Sequence, residues 1–560
     1  MPTTSTLTDR AAAAAADQEV FNQAPPLQDY NPYLADAALR EAVHREGAAD
    51  FEAELTAFGE HTGREDVLRL GHLANRHTPE LRTHDRWGRR IDEVEFHPSY
   101  HELMRIGVAA EIHALPWNRK LPGAHVTRAA KHYLFTQVEA GVHCPLTMTF
   151  AAVPALHSQP ELAAEWVPRL TSAAYDPRVR PAPQKNGALM GMAMTEKQGG
   201  SDVRANTTRA TAVAGRGPGG EYLLDGHKWF CSAPMCDAFL TLAQTDAGLS
   251  CFLVPRWRPD GSRNNFAIQR LKEKLGNRSN ASSEIEYHGT WSRMVGDEGR
   301  GIPTILEMVA HTRLDCMIGS AALMRQAVAQ AIHHASHRAA FGRLLKDQPL
   351  MRNVLADLAL ESEAATALTM RVARAYDEAS EDAAQRAFRR LATAVGKYWV
   401  TKRGPAMVCE ALECHGGNGY VEESILPRIY REIPLSSIWE GSGNVMCLDV
   451  LRAVGREPET LPALLAELAE ARGGDRRLDA WLDAVESELA DRRDLEARAR
   501  RVVENLALAL QGALLVRHAP SFVADAFCAS RLAGERGFEY GTLPSGVDFE
   551  RIVERASPAG

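Results

Sequence analysis

The hexapeptide Trp439-Glu440-Gly441-Ser442-Gly443-Asn444 places one carboxylate between an aromatic side chain and a glycine-rich break. Bulky apolar neighbours disfavour the charged form of a carboxyl, raise its pKa and suit it to work as a general base. Taken alone, a Glu before Gly is more often a solvated turn residue. Its weight comes from motifs upstream. Met194-Thr195-Glu196-Lys197-Gln198-Gly199-Gly200-Ser201-Asp202 sets a polar loop after an apolar run. Successive N–H groups of a Gly-Gly-Ser turn, with the Ser201 hydroxyl as a further donor, can cradle an anion. Asp225-Gly226-His227-Lys228-Trp229-Phe230-Cys231-Ser232-Ala233 reads as a turn followed by an aromatic strand. Arg338-Ala339-Ala340-Phe341-Gly342-Arg343 closes one helical stretch, Gln348 opens the next, and His415-Gly416-Gly417-Asn418-Gly419-Tyr420 is a further glycine-rich segment. Arg pairs with a pyrophosphate through two parallel hydrogen bonds, which Lys cannot copy. Alone, Arg338 would read as a cation at a helix C-terminus, and Phe341 as core.

The elements that must position these residues follow from periodicity. Helical spacing of apolar residues, as in Leu34, Ala38, Ala42 and Phe51, Leu55, Phe58, dominates 31–188. From 189 to 295 the pattern changes to short apolar runs separated by Gly-rich turns, which predicts an antiparallel β barrel or sandwich. Gly215-Arg216-Gly217-Pro218-Gly219-Gly220 neither follows a parallel strand nor opens a helix, so it reads as a hairpin loop and not as a nicotinamide-binding turn. Helical periodicity returns over 296–455, with long pieces at Ile305–Arg338, Leu350–Glu378 and Glu381–Glu413. Gly455 and Pro458 mark a boundary before an Ala, Leu, Glu and Arg-rich helical segment, 456–560. Residues 1–30, with no basic or Leu-rich start, read as a disordered leader rather than a signal peptide. The fold class is therefore multidomain α+β: an N-terminal helical domain, a middle β domain, a C-terminal helical bundle and an extra helical domain.

The order, spacing and type of these motifs over residues 70–455 resemble the acyl-CoA dehydrogenase flavoproteins. The longer N-terminus, the phrase Thr195 to Asp202, the block Ile438 to Val450 and the added C-terminal hundred residues resemble the AidB branch, flavoproteins of the adaptive response to DNA alkylation. The resemblance implies a C-terminal four-helix bundle and FAD held where the β domain meets it. It places Thr195 and the backbone of Met194 at the flavin ring, Ser201 at the pyrophosphate, Phe230 stacked near the ring and Ser232 at the hydroxyl position beside it. Ser442 and Asn444, in the glycine-rich break, fall within the same cofactor site. Arg338, Phe341 and Gln348 match positions that reach the adenine and pyrophosphate end from a neighbouring subunit, and Gly416 and Gly417 match the loop that approaches the adenosine. A shared cofactor site of this kind implies a homotetramer.

The family reaction is α,β-dehydrogenation of an acyl-CoA, in which a carboxylate removes the pro-R α-proton and the β-hydrogen leaves as hydride. Glu440 matches the base. In one branch of the family the base sits instead on an earlier helix, just before an Arg; that position here is Thr312, which cannot act as a base, and Asp315 lies about one turn further on. Three departures stand out. Trp439 replaces the usual Tyr, which narrows the acyl pocket; Glu413 and His415 replace Gln and Phe; Lys197-Gln198 replaces a Pro-containing turn. The expectation is tight FAD binding with weak dehydrogenase activity on a short branched acyl-CoA such as isovaleryl-CoA. The electron acceptor is not named by any residue.

AidB-like proteins are associated with DNA binding through the C-terminal extension, which makes Arg492, Arg493, Arg500 and Arg501 the candidates for duplex DNA phosphates. Residues 456–560 nonetheless hold 14 arginines, no lysine and 19 acids, a net charge of −5, a composition more typical of a solvated face with internal ion pairs. The whole chain, at −8, gives no bulk reason to expect a polyanion. Nine scattered cysteines without metal-ligand spacing point to reduced thiols and a cytoplasmic protein. His333, His334 and His337 lack a third ligand, so no metal is expected, and no apolar run of the length of a bilayer span occurs.

Overall fold

The computed structural model describes residues 20–558. The first nineteen residues of the expected leader lie outside the described residues. Residues 20–30 depart from that expectation. They run against the folded chain, with Asp29 N donating to Gly63 O (2.7 Å) and Asn22 bonded to Ala339.

The N-terminal region is helical, as its periodicity predicts, and also carries a hairpin of β1 (Glu80–His84) and β2 (Arg90–Glu95). Its two innermost helices are α1 (Ala124–Thr136) and α2 (His143–Leu156). The β domain comprises β3 (Met190–Ala193), β4 (Arg209–Ala214), β5 (Glu221–Ser232), β6 (Ala238–Thr245), β7 (Gly248–Pro255), β8 (Phe266–Leu271) and β9 (Ser282–Val295). Strands β6, β4, β5, β9 and β7 pair in a closed ring, with β3 added to β6 and β8 to β9. It is a barrel, but not wholly antiparallel, because β3 and β4 both run parallel to β6. The loop 215–220 joins antiparallel β4 and β5.

Asp225-Gly226 is not a turn. The strand passes through it, with a register shift against β9 between Leu224 and Asp225. Gly226 takes φ +152°, and a Cβ there would meet Thr208 Oγ1 at 2.5 Å, so this strand position admits only glycine, while the extra residue at the shift is Gly289 on β9. A second shift between Lys228 and Cys231 turns Phe230 outward, leaving it 48% exposed.

The bundle is built on α3 (Gly301–His337), α4 (Pro349–Glu378), α5 (Ala383–Glu413) and α6 (Gly443–Arg456). Pro349 at the first position of α4 forces Gln348 into extended backbone, and Asp382 caps α5 by accepting from Ala384 N (2.7 Å). Small residues let the long helices approach; a Cβ on Gly396 would collide with Met317 Cε. The C-terminal segment does not stand apart. Leu478 and Leu482 of α7 (Arg476–Ala490), and Val503, Leu506 and Leu510 of α8 (Ala499–His518), belong to the same apolar cluster as Leu360, Val395 and Val400 of the bundle.

One buried ion pair ties the N-terminal helices to the bundle. Arg128 of α1 grips Asp315 of α3 through two bonds of 2.5 and 2.6 Å, Thr147 adds a third, and the guanidinium lies 3.5 Å from the Phe150 ring centroid. Burial alone would raise the Asp315 pKa, but Arg128 and His132 outweigh it and hold the carboxyl well below the usual range. Arg128→Met strands that charge, and we expect it to lower stability by about 3–5 kcal/mol in denaturant unfolding. Because the folded-state pKa is depressed, the contribution of Asp315 is complete above its unfolded value of about 3.9 and is lost as the pH falls below it. The stability difference between wild type and Arg128→Met is therefore expected to shrink on acidification.

Candidate active site

Glu440 follows a short 3-10 turn, Ile433–Ser437, and precedes α6. Its backbone adopts φ +59°, a left-handed conformation uncommon for a residue with a β-carbon. Two cations hold it there. Arg313 Nε donates to Glu440 O (3.1 Å) while its Nη1 reaches Asp449 Oδ2 (2.8 Å). Lys397, buried in α5, donates to the carbonyls of Trp439 (2.8 Å) and Gly441. Three successive carbonyls are thus fixed by positive charges that leave the carboxylate itself unpaired. On that carboxylate, Oε2 lies 2.7 Å from Thr312 Oγ1, closer than the 3.0 Å from that hydroxyl to Val309 O. Burial raises the Glu440 pKa above the ordinary glutamate value, partly offset by the Thr312 hydrogen bond and the charges of Arg313 and Lys397. Asp315 is engaged by Arg128, and Thr312, at the rival base position, serves as a donor to Glu440.

The loop expected at the flavin rests on a second buried pair. Glu196 accepts from Lys228 Nζ (2.9 Å), from the Thr207 and Thr208 amides (2.7 and 3.1 Å) and from both threonine hydroxyls. Lys228 also donates to Leu242 O (2.8 Å), and burial lowers its pKa to about 8. Burial opposes ionisation of Glu196 too, but Lys228 and the threonine donors overcome it and hold the carboxyl below its usual range. This pair bolts β5 to the loop 194–202, and Trp229 N donating to Thr195 O (2.8 Å) sets the two segments side by side. Met194, Thr195, Phe230 and Ser232 therefore share one edge of the barrel. Ser232 Oγ lies 3.4 Å from Ser282 Oγ, which in turn accepts from Lys274 (2.9 Å). Ser201 is exposed on the same loop.

The other expected cofactor residues form a separate group. Arg338, Phe341 and Gln348 sit where α3 ends, on a hairpin of Ala339–Ala340 and Arg343–Leu344, with Gln348 Nε2 donating to Ala340 O (3.0 Å). Phe341 at the tip is 98% exposed with φ +51°. Gly416 has φ +59°, and a Cβ added to it or to Gly417 would meet no atom within 4 Å, so this loop presents an open backbone. Along α3, Arg338 lies 26 residues from Thr312, about 39 Å at 1.5 Å per residue. The Arg338 group is therefore remote from Glu440 within one chain. Ser442 is half-buried at the start of α6, but Asn444 Oδ1 accepts from Arg500 Nε (2.8 Å) and faces the C-terminal segment instead. The site residues that sequence reasoning missed are Lys397 and the Glu196–Lys228 pair. Lys397 carries no signal beyond a lone lysine in an apolar helix, whereas Glu196 and Lys228 both stand inside motifs already singled out.

The residues present fit FAD. An outward aromatic ring and uncharged donors at the barrel edge, with an open glycine backbone elsewhere, are what a flavin and its dinucleotide tail require.

Of the four candidate nucleic-acid residues, Arg493 pairs with Asp491 (2.9 Å), Arg501 with Glu488 (2.8 Å) and Arg500 with Asn444; Arg492 makes no ion pair among the described residues. No described helix is long and apolar enough to cross a membrane.

A helical region, a β barrel and a helical bundle with a shielded glutamate at the bundle edge define the acyl-CoA dehydrogenase class. Residues 22–177 match the AidB N-terminal domain (adaptive response protein), 191–290 the acyl-CoA dehydrogenase middle domain and 299–455 its C-terminal domain. The chain is 48% identical to the putative acyl-CoA dehydrogenase AidB of Escherichia coli, covering 91% of this chain and 93% of that one. It is 30% identical to acyl-CoA dehydrogenase family member 11 of Caenorhabditis elegans, covering 89% and 86%. The crystal structure of C. elegans ACDH-11 in complex with C11-CoA superposes with a TM-score of 0.84 at 28% identity, over 91% of this chain and 93% of that one. The protein belongs to the acyl-CoA dehydrogenase family, in its AidB branch.

Loss of the Thr312 donor removes a hydrogen bond that favours the charged base. A bond to a charged group contributes about 1.5–3 kcal/mol, and about 1.36 kcal/mol is one pKa unit. Thr312→Val is therefore expected to move the acid limb of kcat/KM upward by about one pH unit or more, as read from a pH–rate profile; an unmoved limb would remove Thr312 from the site.

Proposed function

We propose that the protein is an FAD-dependent acyl-CoA dehydrogenase acting on short branched acyl-CoA thioesters such as isovaleryl-CoA, with low turnover. The observation that carries this reading is the shielded, unpaired carboxylate of Glu440, held by cations that bind its backbone and not its side chain. Glu440 takes the α-proton of the thioester. The Thr312 hydroxyl fixes Oε2, and Arg313 and Lys397 keep the main chain from relaxing out of its left-handed turn. Trp439 stands beside the base and limits acyl width. Thr195, Phe230 and Ser232 would hold the flavin ring, and FAD, when bound, would supply the hydride acceptor. The resemblance to a neighbour crystallised with C11-CoA supports an acyl-CoA as the substrate class.

A homotetramer belongs to the same proposal. The remoteness of the Arg338 group from Glu440 supports a second chain at each cofactor, and the bare Phe341 fits a contact with that chain. Free thiols at all nine cysteines, eight of them buried, support a reducing, cytoplasmic setting. The test is anaerobic addition of isovaleryl-CoA to the purified yellow protein. Bleaching of the flavin band is expected in wild type and its loss in Glu440→Gln. Equal bleaching in the variant removes Glu440 as the base, and no bleaching with any acyl-CoA removes the reaction.

A second reading, duplex DNA binding through the turn 492–501, is favoured by one observation. Arg493 and Arg501 remain 88% and 64% exposed in their ion pairs. Exposed pairs contribute about 0–1 kcal/mol, so a phosphate can displace them. That reading predicts a mobility shift that weakens as salt rises, with Arg492→Ala lowering the salt slope by about one; no shift at low salt would end it.

A further inference from the structure

The segment Asn22–Pro25 is bonded to both parts of the bundle expected to reach a cofactor. The Asn22 side chain acts as a short strand against the finger 338–344: its Nδ2 donates to Ala339 O (2.9 Å) and its Oδ1 accepts from Ala339 N (2.7 Å). The Asn22 carbonyl accepts from Arg338 Nη1 (2.5 Å). One residue on, Gln23 Oε1 accepts from Asn418 Nδ2 (2.9 Å) in the glycine loop, and Pro25 O lies 2.8 Å from His333 Nε2 on α3. The finger itself has only two residues in each strand, and two-stranded hairpins are marginal in water. Its tip places Phe341 and Gly342 at φ +51° and +76°, a turn with positive φ at both central residues. For Phe that conformation is strained, so something beyond the hairpin must hold it. Asn22 is at φ +53°, a conformation Asn tolerates, which aims its amide at the finger.

The surroundings say what covers this strap. Phe21 is 80% exposed, Phe341 98%, Leu350 83% and Tyr420 81%, all on the segments the strap joins or directly beside them. Exposed hydrogen bonds such as these contribute little while water competes for them, and more once an apolar surface excludes it. The rise of about 39 Å along α3 between the finger and Thr312 at the Glu440 site leaves another chain as the source of that surface.

We propose that residues 21–25 form a positioning strap that locks the finger and the glycine loop in register, so that a second copy of this chain can seat its FAD against Arg338 and Phe341. The inference rests on the shared FAD site proposed above. In this arrangement the strap retains the cofactor from outside the pocket and touches no reacting atom.

The experiment uses full-length protein with Asn22→Gly, which removes the amide at no backbone cost because glycine accepts the same φ. Asn22→Asp keeps an acceptor for Ala339 N but replaces the Nδ2 donor with a carboxylate oxygen facing Ala339 O. Flavin-fluorescence quenching gives the Kd for FAD, light scattering gives the mass, and circular dichroism reports folding. In Asn22→Gly the Kd is expected to rise at least about tenfold and the mass to fall toward smaller species at equal concentration, with helicity unchanged; Asn22→Asp is expected to shift in the same direction. Wild-type Kd and mass in Asn22→Gly would overturn the strap. Wild-type Kd in Asn22→Asp would overturn the specific pairing with Ala339 O. If wild type itself binds no FAD, the cofactor reading has failed separately, and the mass of Asn22→Gly against wild type still decides whether the strap organises the contact between copies.

Discussion

In the reading proposed above Glu440 takes a weakly acidic carbon-bound proton, so it has to be kept from water without being neutralised by whatever keeps it in place, and the bundle is arranged around that constraint. Arg313 and Lys397 supply the binding strength to hold a strained left-handed glutamate, yet direct their hydrogen bonds to peptide carbonyls. Asp449 draws off part of the Arg313 charge, and Arg390 shares Asp449 in turn (3.0 Å). The carboxyl is left with one neutral donor and a pKa raised by burial. Had either cation faced the carboxylate directly, Coulomb attraction would have lowered the pKa and weakened the base.

The same logic of buried charge used as carpentry recurs at the other two junctions. Glu196–Lys228 joins the loop 194–202 to the barrel wall, and Arg128–Asp315 joins the N-terminal helices to the bundle. Such pairs add less net stability than an apolar replacement of the same shape. What they confer is register, since each partner has a single oriented position and any slip leaves a bare charge in the interior. In a protein whose site is assembled from three regions, relative placement is the quantity that matters.

Much of this is legible in the residues. The long helices can be read within a few residues of their ends, because Pro349 and Asp382 punctuate strongly periodic stretches. Glu440 stands out, and so does the irrelevance of Asp315 as a rival. Other features are hidden for physical reasons. Asp225-Gly226 has the composition of a hairpin turn, and only the register of β9 shows that the strand continues. Lys397 lies 42 residues from the carbonyl it holds, in a helix where nothing marks it. The end of the leader looks structureless because its order comes from side-chain amides meeting a distant hairpin, not from any periodicity of its own. The mixed composition after Asp491 already suggests internal ion pairs, but which acid meets Arg493 or Arg501 is set by the fold.

The shared apolar core of α7, α8 and the bundle bears on how this chain can vary over evolutionary time. A segment that merely trailed from the catalytic body could be lost, swapped or tethered elsewhere without cost to the rest. Here Leu478, Val503, Leu506 and Leu510 are the inner lining of a wall whose other side is α4 and α5. Any lineage that discarded the C-terminal hundred residues would have had to rewrite the outer faces of two catalytic helices at the same time. The added helices are thus an inherited commitment, and whatever they do, they do as part of one folding unit with the site.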